Sequence, residues 1–146
     1  MQNDKKKYHL PISELIDRMT ILEIKLVLDS KNSSDYLQEL DLLKNDISIE
    51  LEKKASNIDV TLIQILISLG QMNLHIWYLK DKMKNQIDQP ILYASNMKLA
   101  HQLNGLRNQL KNKLLSLQGE TNVAKVRSNI DLDGLEINLG ISKDNS

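Results

Sequence analysis

Three sets of polar residues are spaced so that each falls on one side of a helix, where it could do chemistry. In the segment PISELIDRMTILEIK, Glu14, Arg18, Ile21 and Lys25 recur at steps of four, three and four, with Asp17 and Thr20 beside them. Carboxylates, a guanidinium and a hydroxyl so placed could grip a small polar ligand. The plainer reading is a salt-bridge ladder, in which Glu14 and Arg18 form an i,i+4 pair contributing about 0.2–0.5 kcal/mol. Asn73, Trp77 and Asp81 recur every four residues. Trp77 could stack on a sugar or a base there. Equally, Asn73 or Asp81 could serve the N–H of a packed indole, and a polar residue in an apolar seam could fix its register. Asn104, Arg107, Asn108 and Lys111 share a third face. An anion could rest on it, although solvated helix faces have the same composition. The ligand-binding candidates are therefore Glu14, Asp17, Arg18, Thr20, Asn73, Trp77, Asp81, Asn104 and Arg107, and none is assigned as catalytic.

Known catalytic patterns are missing or incomplete. The chain has no cysteine, so thiol nucleophiles, zinc-thiolate sites and disulfides are excluded. His75 and His101 lie in different predicted helices without a second ligand at metal spacing, and no metal is expected. Glu14 and Asp17 match half of the acidic set that holds magnesium in all-α nucleotide pyrophosphohydrolases, but no Glu-x-x-Glu precedes them. A dicarboxylate site of the helical chorismate mutase type needs several convergent arginines. Here there are Arg18, Arg107 and Arg127, and lysine does not supply the two-pronged geometry. Asp131-x-Asp133-Gly134 lacks the rest of a calcium loop, and there is neither a glycine-rich phosphate loop nor a nucleophile elbow. No cofactor is expected. Lysine plus arginine and aspartate plus glutamate balance at 19 each, which favours neither nucleic acid nor an anionic membrane as partner.

The elements that must position these residues are helices. With 146 residues, 41% apolar and 26% charged, the chain fits one globular domain. It has no phenylalanine, so leucine and isoleucine must build the core. The periodicity predicts helices over Leu10 to Asp29, Asp35 to Ala55, Val60 to Asp88 and Ile91 to Leu117. Ser13 or His9 is the expected cap of the first, Ser33 or Ser34 of the second and Asp59 of the third. Apolar residues on more than one side of the first helix mark it as central. Leu40, Leu43 and Ile47 form a seam on the second, with Glu, Asp, Lys and Asn on its solvated side. Leu62, Leu66, Leu69, Asn73, Ile76, Lys80, Met83 and Ile87 keep heptad register on the third. Leu92, Leu99, Leu103, Leu106, Leu110 and Leu117 do so on the fourth, which Gly119 ends.

The expected fold is all-α: antiparallel helical hairpins forming a four-helix bundle or coiled-coil-like core. Residues 1–9 read as a flexible N-terminal segment, 10–118 as the bundle and 119–146 as an irregular tail. In that tail Ile130, Leu132, Leu135, Ile137, Leu139 and Ile141 almost alternate, as in a short strand or a segment that orders on a partner. No apolar run follows Lys5, Lys6 and Lys7 as a signal peptide requires. The longest apolar stretch, Leu62 to Leu69, falls short of the ~20 residues of a membrane span. A cytoplasmic location and no membrane crossing are the expectations.

Three segments resemble a known family. Residues 11–26, PISELIDRMTILEIKL, are similar to the opening signature of small bacterial all-helical proteins classed as a domain of unknown function. Residues 73–81, NLHIWYLKD, resemble that family's second block, with its Asn, Trp and acidic residue at four-residue steps. Residues 103–113, LNGLRNQLKNK, resemble the third. The second helix and the tail after Gly119 depart from the pattern. The resemblance implies a helical fold, no assigned activity and genes often found beside those for surface polysaccharides. The expected function is a non-enzymatic interaction or scaffold module that contacts another protein or forms a homodimer. The alternative is a small enzyme or ligand-binding protein of glycan or nucleotide metabolism. Convergence of Glu14, Asp17, Arg18, Trp77, Asp81 and Arg107 on one open pocket favours the alternative; scattering or mutual pairing favours the scaffold.

Overall fold

The structure is a computed structural model and describes residues 10–53 and 59–117. Four helices account for nearly all of them: α1 (Ile12–Leu28), α2 (Ser33–Lys53), α3 (Val60–Lys84) and α4 (Pro90–Leu117). A 3-10 turn, Ser30–Asn32, joins α1 to α2. No strand occurs among the described residues. The alternating segment 130–141, Gly119 and His9 lie outside them.

Helix α1 is the organiser. It packs against α2, α3 and α4, whereas among the described helices α2 packs only against α1, and α3 and α4 form a long hairpin. The core runs along α1 through Ile12, Leu15, Ile16 and Leu22. Leu40, Leu43 and Ile47 reach it from α2, Leu62, Ile65 and Leu69 from α3, and Leu110 and Leu114 from α4. Each such side chain contributes ~1.5–3 kcal/mol when fully covered.

The helix ends follow local chemistry, with two departures from the expected caps. Asp59 caps α3, its carboxylate accepting from the Leu62 N–H at 2.8 Å. At α1 the capping position falls to Pro11, which has no side-chain cap. Ser13 is instead fully buried inside the first turn, and its hydroxyl has no partner among the described residues. Helix α3 stops at Lys84, before the expected Asp88, and Pro90 opens α4 rather than merely ending α3. Proline suits the first helical position, where its missing N–H leaves no bond unmade. Between the two helices the Asn96 amide donates to the Gln86 side-chain carbonyl, and Gln86 is buried.

The α4 seam also differs from its expected register. Leu106 and Leu110 are buried as the pattern requires, but Leu92, Leu99 and Leu117 are exposed. Ala100, Gly105, Leu114 and Leu115 are buried in addition. Two leucine stripes overlap on this helix, and the contact with α1 selects the one through Leu110 and Leu114. On α2, Asp46 is fully buried rather than solvated, one turn from Leu43.

Tyr36 fastens the corner between α1 and α2. Its hydroxyl donates to the Asp29 carboxylate at 2.6 Å, and the Lys25 ammonium stands 5.4 Å from its ring centre. The hydrogen bond from Tyr36 holds the Asp29 carboxyl below the usual carboxylate range, against the opposing effect of partial desolvation. A depressed folded value adds stability above the unfolded carboxylate pKa, and that stability is lost as pH falls through the folded value. Tyr36→Phe should therefore lower the melting temperature most near neutrality, with the deficit closing in acid. Circular-dichroism melts across that range check this, and a deficit constant with pH would sink it.

Gly70 lies mid-helix in α3, where glycine costs about 1 kcal/mol relative to alanine. A Cβ added there would meet nothing within 4 Å. No close packing among the described residues requires the glycine.

Candidate functional site

The polar faces singled out by spacing meet where α1 crosses the α3–α4 hairpin. Asn73, buried on α3, is the hub. Its amide nitrogen donates to Asp17 Oδ1 at 2.8 Å and to Thr20 Oγ1 at 2.6 Å. The Thr20 hydroxyl donates onward to the main-chain carbonyl of Asp17 at 2.8 Å. From α4, Arg107 Nη1 donates to Asn73 Oδ1 at 3.4 Å. Both amide hydrogens and the carbonyl of Asn73 are thus engaged, as a buried carboxamide requires.

Lys111, one turn beyond Arg107, completes the cluster. Its ammonium lies 2.6 Å from Glu14 Oε1 and 3.7 Å from Asp17 Oδ2. The Lys111 and Asp17 side chains are 6% and 7% exposed, so this charge pair is held away from water, while Glu14 at 30% forms its rim. Lys111 thus pairs with two carboxylates, while Arg107 joins the cluster through Asn73.

This arrangement suits holding better than reacting. Each Asp17 carboxylate oxygen has a partner, so neither is a free base. The Thr20 hydroxyl donates to its own helix and faces an amide rather than a proton acceptor. Among the described residues, the buried Ser13 Oγ and Arg107 Nε find no hydrogen-bond partner.

The other candidates are exposed or half-buried. Arg18 is exposed on α1. Asp81 is exposed on α3, 3.5 Å from Lys84. Trp77 is half-buried one turn beyond Asn73, whose carbonyl oxygen accepts from Arg107. Asn104 is half-buried on α4. None of the candidates lines the apolar groove of about 320 Å³ near the hairpin turn, formed by Lys80, Met83, Lys84, Ile87, Tyr93, Met97 and Ala100.

Sequence spacing placed Lys111 on the Arg107 face but gave no sign that it turns inward to two carboxylates. The available signal was its position between Leu110 and Leu114, both buried. Among the described residues, no group of three or more His, Asp or Glu side chains could hold a metal ion. Helix α3 is long and apolar enough to cross a membrane by length and composition, a property the shorter Leu62 to Leu69 stretch did not reveal. In this fold its inner side packs on α1 and α4. Compared with protein-family models, curated proteins and solved structures, the chain matches none.

Proposed function

We propose that this chain is a non-enzymatic helical interaction module that works by contact with another protein or with a second copy of itself. The observation that carries the reading is the mutual pairing of Glu14, Asp17 and Lys111. The side chains best equipped for chemistry are used to hold α1 against the α3–α4 hairpin. Kinship with the small bacterial helical proteins is part of the proposal. Glu14, Asp17, Thr20, Asn73, Arg107 and Lys111 all lie within the three resembling segments, so what those segments share is a device for joining helices.

A thermal-shift series with UDP-glucose, ATP, inorganic phosphate and citrate tests this reading. A ligand present at a hundred times its Kd adds about 2.7 kcal/mol to the folded state, which is easily seen in the melting temperature. No shift is expected with any of the four. The unpartnered Nε of Arg107 favours a second reading, a small-anion site at the edge of the cluster. A saturable shift with one of these anions, lost in Arg107→Met, would replace the first reading with the second.

A further inference from the structure

Helix α3 is apolar on two opposite sides, and the fold covers one of them. Leu62, Ile65, Leu69, Asn73, Ile76 and Met83 face the core. On the far side Val60, Ile63, Ile67, Gly70, Leu74 and Tyr78 follow one another at steps of three or four, in a single stripe. Val60 is 80% exposed, Ile67 61%, Tyr78 55% and Ile63 46%. Only 28% of the most apolar window of this helix is buried, whereas a helix apolar all round is normally enclosed.

Three features identify what covers the stripe. Gly70 sits within it, and a Cβ added there would meet nothing among the described residues, which leaves room for an approach from outside them. Small residues at a helix crossing let two backbones come close. From Val60 to Leu79 the helix carries no Asp, Glu, Lys or Arg, so it can meet its own copy without setting like charges opposite each other. In an antiparallel crossing centred on Gly70, position 59 of one copy meets position 81 of the other, so Asp59 faces Asp81 within a turn where Lys80, Lys82 and Lys84 outnumber that one carboxylate. The four exposed side chains offer roughly 400 Å² a copy. With Leu74 and the flanking Gln64 and Gln71, the two-copy total approaches the ~1,200 Å² at which stable interfaces begin.

We infer that the chain dimerises through α3, two copies crossing antiparallel at Gly70. The inference rests on the interaction-module reading and names its surface. Sedimentation velocity on the full chain from low to high micromolar concentration is the test, with Ile67→Lys and Gly70→Leu as surface variants. Both positions face open space in one copy, so helical content should be unchanged while dimer affinity falls at least about tenfold. Because the chain has no cysteine, Gln71→Cys gives a single reporter that should cross-link copy to copy on oxidation, and Gln38→Cys on α2 should not. A wild-type chain that stays monomeric throughout overturns the inference, whether residues 118–146 or a different protein covers the stripe, and leaves the interaction-module reading to the ligand series. A dimer that both variants leave intact overturns the α3 surface alone.

Discussion

Lys111→Met should destabilise the fold by about 3–5 kcal/mol, as expected when one partner of a buried charge pair is removed and the other stays behind. Methionine retains most of the lysine's length and apolar stem, so little of this loss reflects a cavity. The cost arises because Asp17, 7% exposed, keeps its charge without the ammonium 3.7 Å away, and Glu14 loses a contact of 2.6 Å. Urea unfolding at neutral pH measures the loss. Adding Glu14→Gln and Asp17→Asn to Lys111→Met should recover most of it, because the carboxylates are then no longer stranded. A single-variant loss under about 1 kcal/mol would mean that the pair behaves like a solvated surface bridge.

The second large effect is expected at Asn73. Asn73→Asp preserves shape but removes two donated hydrogen bonds and sets a new carboxylate against Asp17 Oδ1 and Thr20 Oγ1, now 2.8 and 2.6 Å from the amide nitrogen. A loss of about 2–4 kcal/mol follows from the unsatisfied polar groups and the repulsion. Asn73→Leu loses the same bonds without adding charge, so it should cost less. The order distinguishes an electrostatic hub from a packing position, and a leucine variant weaker than the aspartate variant would refute the hub. Burial and the Asp17 carboxylate disfavour ionisation of the new side chain more than Arg107, at 3.4 Å from the Asn73 carbonyl oxygen, favours it. Its penalty should therefore grow as pH rises and shrink as pH falls.

Both effects concern residues that spacing had marked, which shows what helical periodicity can and cannot specify. It assigns a residue to a face, so Glu14, Asp17 and Thr20 were legible as one group, and Asn73 and Arg107 as members of others. It does not say which face another helix will meet. Only the crossing of α1 over the hairpin turns three separate groups into one cluster and recruits Lys111. The same limit explains α4. Its leucines support two overlapping stripes, and the exposed Leu92 and Leu99 against the buried Leu114 record a choice made by tertiary packing. The four helices were legible because their apolar repeats are long. Asp59 was legible as a cap because a carboxylate ahead of an apolar run has a specific local partner, here the Leu62 N–H. Asp46 and Ser13 were not, since nothing in the local pattern distinguishes a buried polar side chain from a solvated one.

The reliance of α2 on a single neighbour gives the chain two tiers of cohesion. Helix α1 is bound to the α3–α4 hairpin by apolar contacts and by the ionic lock at Lys111, whereas α2 is held by its apolar seam on α1 and the tether at Tyr36. Among the described helices α2 is therefore the one whose release would leave the other three still in contact, and that release would expose the flank of α1 it shields. A protein of this build has a door as well as walls, and α1 is both the hinge post and what lies behind it.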